Sequence, residues 1–435
     1  MVRIVMLGAG SGFTHNLSGD IMQLEGIEEG EISLVDIDAR RLRLAEGLVR
    51  RIAETLGKDK AWTIRTATDR RRVLEGADFV VNTIEVSGAQ TVRVDNDIPL
   101  QYGVSQCIGD TIGPGGIFKA MRTVPVWTEV LRDIGRMAPN AYILNYTNPM
   151  SIMTHAAMLV TDQPVVGLCH SVQGSSRNLA DYAGVPYDEM AWQCAGLNHM
   201  AWFTRYEHEG EDLYPRLKAK VVRDKKLWER DPVRFDFMLH FGYFVTESSG
   251  HFSEYVPYYR KRTELRRKYC REKYLGGDSF YADEWPGWRK AADDRRRRIM
   301  QGKEQLTIRR SHEYASSIIQ AVRLDRPLVF HGSTWNTGLI DNLPFDGVVE
   351  VPVLADKMGL RPCHFGALPE QCAALNRQHM AVNKLTAEAC VEGDRQKALH
   401  ALLLDPLTAA VCSPAEIREM FDRMFKAERR FLKGF

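Results

Sequence analysis

The feature that most constrains the fold is the start of the chain. An apolar run, Val2-Arg3-Ile4-Val5-Met6-Leu7, stops on Gly8-Ala9-Gly10-Ser11-Gly12. A short apolar run that ends in glycines reads as a buried strand turning tightly into a helix. It does not read as a secretory leader, because no small-residue cleavage site follows. Glycines at such a turn let backbone N–H groups approach a pyrophosphate at the helix N-terminus. An acid at the end of the next strand then holds the ribose hydroxyls, and Asp36 stands there in Val35-Asp36-Ile37-Asp38. Asp36 favours NAD over NADP, while Arg40 and Arg41 nearby work against that preference. Gly8, Gly10, Ser11, Gly12 and Asp36 are therefore the first candidate cofactor contacts. The competing reading is a tight strand-to-helix turn with no ligand. The usual fingerprint also places its third glycine three residues after the second, whereas Gly12 follows Gly10 by two.

The pattern continues through about residue 170. Strands are expected at Glu31–Val35, Asp78–Thr83, Ala141–Leu144 and Val165–Leu168, and helices over Ala39–Leu56 and Phe118–Met137. Alternation of this kind predicts a parallel sheet with right-handed crossovers. Residues 211–330 are rich in Arg, Lys, Glu and Trp and read as mostly helical. Strands return near Arg326–His331 and Gly347–Val353, and residues 369–435 read as long helices. The expected fold class is α/β. A Rossmann domain of lactate/malate dehydrogenase type, with a mostly parallel sheet, covers 1–195. A mostly helical α+β domain for substrate, metal and oligomer contacts covers 196–435.

A formal net charge of only +2 over 435 residues points to neither a nucleic-acid partner nor an acidic membrane surface. No stretch approaches the roughly 18 apolar residues of a membrane span. The Arg295–Arg298 run follows Asp293 and Asp294, so it reads as a solvated, ion-paired helix face and not as a phosphate site. Eight scattered cysteines without a leader imply a reducing, cytoplasmic setting.

Open α/β sheets bind ligands beyond the carboxyl ends of their strands. Polar clusters stand at such places: Asn145-Tyr146-Thr147-Asn148, Cys169-His170-Ser171, Asn198-His199, and Gly109-Asp110-Thr111 ahead of Gly113-Pro114-Gly115-Gly116. Asn82 and Asn145, at two strand ends, are read as further cofactor contacts. Cys169 and His199 are each, taken singly, ordinary core residues. Together on a ligand-bearing sheet, a thiolate and an imidazole with open positions suit a divalent ion used as a Lewis acid. They do not suit a closed structural zinc site, which needs four protein ligands.

The ordered set of motifs resembles glycoside hydrolase family 4, and within it the melibiase-type α-galactosidases. The resemblance runs through Ile108-Gly-Asp-Thr-Ile-Gly-Pro-Gly-Gly-Ile117, Leu144-Asn-Tyr-Thr-Asn-Pro-Met150, Gly167-Leu-Cys-His-Ser-Val-Gln-Gly174 and Cys194-Ala-Gly-Leu-Asn-His-Met-Ala201. It continues through Gly242-Tyr-Phe-Val-Thr-Glu-Ser-Ser249, His251-Phe252, Glu254-Tyr255, Glu313-Tyr-Ala-Ser316 and Gly338-Leu-Ile-Asp-Asn-Leu-Pro344. The branch rests on Cys169-His170-Ser171-Val172.

The resemblance implies a glycosidase outside the usual two-carboxylate scheme. NAD⁺ takes a hydride from C3 of the sugar, which acidifies the C2 proton, and a base removes that proton. A divalent metal, usually Mn²⁺, offsets the developing negative charge. The aglycone leaves, water adds, and the hydride returns. By motif, Cys169 and His199 are the implied metal ligands. Asn148 and Asp110 are sugar contacts, Tyr255 is the C2 base with Glu247 and His251 as rivals, and His170 is an acid for the leaving group or a support for Cys169. Glu247 and His251 are otherwise read as substrate contacts. The implied substrate is an α-galactoside, with an α-glucoside or a uronide as the alternative. A plain dehydrogenase is the more distant reading. A homodimer or homotetramer is implied. In one respect the chain departs from the family pattern: only Gly12 separates Ser11 from Phe13, so the phosphate loop is one residue short.

Overall fold

The computed structural model describes residues 1–435. Its first half contains β1 (Val2–Leu7), β2 (Gly30–Val35), β3 (Trp62–Ala67), β4 (Phe79–Asn82), β5 (Tyr142–Asn145) and β6 (Val165–Gly167). These strands are parallel and lie in the order β3-β2-β1-β4-β5-β6. The order reverses direction at β1 and β4, which opens a crevice beyond their carboxyl ends. β1 and β4 are buried along nearly their whole length, as strands covered on both faces must be. β3 was not expected from the sequence. Its buried Trp62, Ile64 and Ala67 are broken up by exposed Thr63, Arg65 and Thr66, the mark of an edge strand with too few apolar residues to stand out.

The second half adds β7 (Met190–Leu197), β8 (Met200–His208), β9 (Glu211–Asp212), β10 (Phe244–Val245), β11 (Leu328–Trp335), β12 (Val348–Asp356) and β13 (Gly359–Pro362). They do not form a separate sheet. β11 pairs antiparallel with β6 at Ser333 and Gly167, β12 pairs with β11, and β7 pairs with β12 at Glu350 and Gly196. One sheet of 13 strands results. The boundary expected at 195/196 falls inside β7, and strand hydrogen bonding runs on across it. The β7–β8 hairpin was read from sequence only as a polar cluster. Its turn is Asn198-His199, with His199 at φ 65°.

The two halves also share a core. Val5, Val80, Phe118 and Trp127 pack in one cluster with Met420, Phe421 and Met424 of the C-terminal helix Pro414–Glu428. The helix expected over Phe118–Met137 begins earlier, at Gly113, with Pro114 in its first turn, a position where a missing N–H costs nothing. That helix is buried almost all round, so its polar residues Lys119 and Arg122 are buried with it.

At the first turn, Gly8 has φ 73°, and a Cβ there would come within 2.4 Å of the Thr83 carbonyl oxygen. Only glycine fits. Gly12, by contrast, has nothing within 4 Å of its Cβ position, so the short loop leaves open space beside the start of the helix Phe13–Met22.

Candidate functional site

A cleft of about 480 Å³ lies at the carboxyl ends of the central strands. Ser11, Gly12, Asp110, Asn148, His170, His199, Glu247 and His251 all line it. The sheet explains why these distant residues meet. β6 ends just before Cys169, β7 ends just before His199, and β11 and β12 span the gap between them.

Cys169, His199 and Glu247 offer ligand atoms that all lie within 4.8 Å of one another. Cys169 Sγ is 3.3 Å from His199 Nε2, and Glu247 Oε2 is 3.3 Å from the same nitrogen. His199 and Glu247 both hold positive φ, 65° and 77°, an uncommon state for residues with a Cβ. Such strain persists where surrounding structure over-determines it, and it gathers at functional sites. Burial alone would push the Cys169 thiol up, but His199 beside it brings it down to about 7. Burial would lower His199, but Glu247 and Cys169 raise it to about 10. Burial would raise Glu247, but His199 and His251 hold it at about 2. A thiolate, an imidazole and a carboxylate at this spacing are a fitting donor set for a borderline divalent cation with open positions. Glu247 thus joins the cluster, where the sequence reading gave it a substrate or base role.

Asp110 sits on the loop before the helix Gly113–Met137. Its carboxylate accepts from Thr111 Oγ1 at 2.6 Å, Lys119 Nζ at 3.3 Å and Asn148 Nδ2 at 3.4 Å. Burial would raise its pKa, but Lys119 and His251 hold it well below the usual carboxylate range. Lys119 also pairs with Glu85 at 3.1 Å. The loop is held from behind by Glu254, whose carboxylate accepts from the N–H groups of Cys107, Ile108 and Gly109 at 2.5, 2.6 and 3.2 Å. Sequence reasoning gave no role to Lys119, Glu85 or Glu254. The available signal was a lysine and an arginine inside the apolar stretch Ile117-Phe-Lys-Ala-Met-Arg122, since buried cations need partners.

His251 is 3% exposed, its ring lies 4.8 Å from that of His199, and its Nε2 has no protein partner. Tyr255 stands behind His199, 2% exposed, with its hydroxyl 3.3 Å from His199 Nδ1. Burial, with Glu247 and Asp110 adding to it, pushes the Tyr255 phenol up. The expected base is therefore second in line to the cleft, while its rival His251 is on the wall. His170 projects into the cleft with its side chain 55% exposed, and its Nδ1 is 3.4 Å from Glu313 Oε2. The hydrogen bond to Glu313 raises the His170 imidazole to about 9.

The cofactor end corrects several expectations. Asn82 and Asn145 do not line the cleft. They are fully buried and directly opposed on β4 and β5, with Asn82 Nδ2 donating to Asn145 Oδ1 at 2.8 Å. They support the segments 83–85 and 146–148, which do line it. The Asp36 carboxylate accepts from the N–H groups of Gly10 at 2.7 Å and Asp38 at 2.9 Å, so it organises the loop directly. Arg296 departs furthest from the solvated face expected of Arg295–Arg298. Arg295 and Arg298 do pair with Glu304, and Arg297 pairs with Asp294. Arg296 is 4% exposed and donates to the Gly10 carbonyl at 2.8 Å and to the Ser11 carbonyl. Arg41 donates to the Gly10 carbonyl as well, at 2.6 Å. Arg289, over the Trp285 ring on the same cleft wall, is pushed down by burial and by Arg41. The loop therefore offers open space at Gly12, with its carbonyls held by Arg41 and Arg296, which share the Asp293 carboxylate, and this leaves the helix start free for the diphosphate of a dinucleotide.

This is a Rossmann-type fold with a thiol–imidazole–carboxylate cluster set beside its glycine loop. The sequence model for family 4 glycosyl hydrolases matches residues 3–185, and that for the family 4 glycosyl hydrolase C-terminal domain matches residues 194–408. The chain belongs to glycosyl hydrolase family 4, and it is a glycosidase. It is 38% identical to an α-galactosidase of Bacillus subtilis, with 100% of both chains covered. It is 35% identical to an α-galactosidase of Rhizobium meliloti, covering 100% of this chain and 89% of that one. Among solved structures, a 6-phospho-α-glucosidase from gut microorganisms, in complex with NAD and Mn²⁺, superposes with a TM-score of 0.83. It shares 23% identity and covers 99% of this chain and 98% of that one. No helix is long and apolar enough to cross a membrane.

The cluster has a measurable titration. A thiol brought from an ordinary 9.0 down to about 7 is mostly thiolate at pH 8. In metal-free protein, thiolate absorbance near 240 nm should rise through about pH 7 and vanish from that range in Cys169→Ser. His199→Gln should move the step to higher pH, because the stabilising cation is gone. A Cys169 step that stays in place without His199 would refute the coupling.

Proposed function

We propose that the protein is an α-galactosidase that cleaves its substrate by redox-assisted elimination, with NAD and a divalent cation, manganese foremost, as cofactors. The observation that carries this reading is the Cys169–His199–Glu247 cluster placed beside the glycine loop. A conventional glycosidase needs one carboxyl group with a raised pKa as its acid. In this cleft Asp110 and Glu247 are both held ionised and Glu85 is paired to Lys119, so none is poised for that task. The α-galactosidases among the relatives support the glycone, and the NAD and Mn²⁺ named for the structural neighbour support the cofactors.

When bound, the dinucleotide at the glycine loop would supply a hydride acceptor, and a divalent cation held by Cys169, His199 and Glu247 would supply charge stabilisation for the deprotonated sugar. The chain's own residues do the rest. Asn148 and Asp110, joined to each other, hold sugar hydroxyls between the glycine loop and the metal cluster. The C2 proton leaves toward the face formed by His251 and Tyr255. His251 lines the cleft wall, its Nε2 has no protein partner, and it takes the proton. The Tyr255 hydroxyl holds His199 Nδ1 and keeps Nε2 turned toward Cys169 and Glu247. His170, kept protonated near neutrality by Glu313, donates a proton to the departing aglycone oxygen. Arg41 and Arg296 fix the carbonyls of the short loop and Asp36 takes the Gly10 N–H, which leaves the N–H groups at the start of the helix Phe13–Met22 for the diphosphate. Assembly as a homodimer or homotetramer accords with this reading.

Two measurements test it. Hydrolysis of p-nitrophenyl α-galactoside should require NAD⁺, Mn²⁺ and a reductant, and should exceed the rates on matched α-glucosides and α-uronides. Undiminished turnover by enzyme stripped of both cofactors would sink the mechanism, and faster turnover of another glycoside would reassign the substrate. Steady accumulation of NADH would indicate a plain dehydrogenase. Separately, Arg296→Ala removes two hydrogen bonds to the loop, each contributing about 1 kcal/mol. By calorimetry the Kd for NAD⁺ should rise roughly tenfold or more, with the Kd for Mn²⁺ unchanged. An unaltered NAD⁺ affinity would mean the short loop holds its shape without Arg296.

A further inference from the structure

Beyond His170 lies a second cavity, larger than the cleft at about 690 Å³. Its volume is that of a complete small-molecule site. Trp192 of β7, Tyr187 and Tyr314 supply aromatic surface, and Gln173, Arg177 and Glu313 supply planar polar groups. Sugars are recognised by this combination: apolar C–H faces rest on rings, and hydroxyls meet amide, guanidinium and carboxylate groups. The surfaces are set in place without a ligand. The Trp192 ring is stacked on His331, with centroids 5.2 Å apart and planes 25° apart. The Tyr187 hydroxyl is 3.0 Å from Ser176 Oγ, and the Arg177 guanidinium lies 4.8 Å from the Tyr187 ring centroid. Gln173 Oε1 is buried and has no protein partner.

What gives the cavity a function is its position. His170 lines the cleft, Glu313 lines the second cavity, and the two side chains meet at 3.4 Å. The two spaces thus adjoin where His170 and Glu313 meet. His170 is also the N-cap of the helix Ser171–Ala183, which carries Gln173 and Arg177 along the second cavity. A glycosidic bond held beside His170 has one sugar on the cluster side and its leaving group on the Glu313 side.

We propose that this second cavity is the binding site for the aglycone, and that it takes an oligosaccharide of more than one sugar ring. The inference rests on the glycosidase reading and on His170 at the scissile bond, and it names the substrate class as glycosyl oligosaccharides in preference to small glycosides. Trp192 is the platform for the leaving saccharide, and Gln173 Oε1 accepts from one of its hydroxyls.

The test compares kcat/KM on two substrates sharing the glycone that the glycoside panel selects, one a methyl glycoside and the other a trisaccharide such as raffinose. The holoenzyme should prefer the trisaccharide. Trp192→Ala should lower kcat/KM on the trisaccharide at least tenfold, chiefly through KM, and leave the methyl glycoside within twofold. Trp192→Phe, which keeps a ring, should recover most of the loss, and Gln173→Leu should reproduce part of it. Equal losses on both substrates in all three variants, or no loss on either, would overturn the proposal and mark the cavity as a contact surface or an idle pocket. A panel that selects a glycone other than galactose would revise the preceding assignment while leaving this comparison intact.

Discussion

The site depends on the antiparallel seam that joins β6 to β7 through β11 and β12. Cys169 and His199 are thirty positions apart, and their strands are not neighbours. Ser333 facing Gly167 and Glu350 facing Gly196 fix where the two strand ends stand, and therefore where the thiol and imidazole meet. Because a strand's side chains alternate in direction, a one-residue slip in either pairing would turn the cluster away from the cleft. The seam also explains why the two halves cannot be treated as independent modules. The first supplies the dinucleotide crevice, the second supplies two of the three cluster residues, and the register between them is set by main-chain hydrogen bonds.

Electrostatics then holds the cleft in one state. Asp110, Lys119 and the more exposed Glu85 form one chain of charges, and Cys169, His199 and Glu247 form another, with His251 between Asp110 and Glu247 in its influence. Asp110, Lys119, His199 and Glu247 each keep their charge against the cost of burial because of these neighbours. Removing one member of such a set typically costs about 3–5 kcal/mol, because the remaining charge is left buried and unpaired. Asp110 and Glu247 are thereby kept as carboxylate acceptors. His170 differs from these groups: Glu313 raises its imidazole to about 9 while its side chain stays 55% exposed.

Much of this was readable in the sequence, but unevenly. The glycine turn and most of the alternating strands follow from local pattern, and the structure has them there; Cys169 and His199, singled out by context and resemblance, are brought within 3.3 Å of each other. What escaped was set by tertiary pairing. Asn82 and Asn145 look like cofactor contacts because they end strands, but register places them opposite each other, where their amides satisfy one another. Arg296 sits in a run whose other members are solvated as expected. Only the packing of its helix against the glycine loop, 285 residues away from Ser11, buries it on two carbonyls. The Glu254 brace on residues 107–109 could not be seen either, since nothing in a sequence says which backbone N–H groups a distant carboxylate will find. The hairpin at Asn198-His199 was hidden for a simpler reason: its turn residue is a histidine at positive φ, not the glycine that normally marks such a turn.

On the proposed mechanism this cleft breaks a glycosidic bond by removing the proton at C2 of the sugar and not by direct displacement at C1. Hydrolysis carried out in D₂O tests it, with the released sugar followed by proton NMR. The account predicts deuterium at C2 of the product at every turnover, with both exchange and hydrolysis lost in His251→Gln. A product that keeps its C2 proton during full-rate hydrolysis would contradict it.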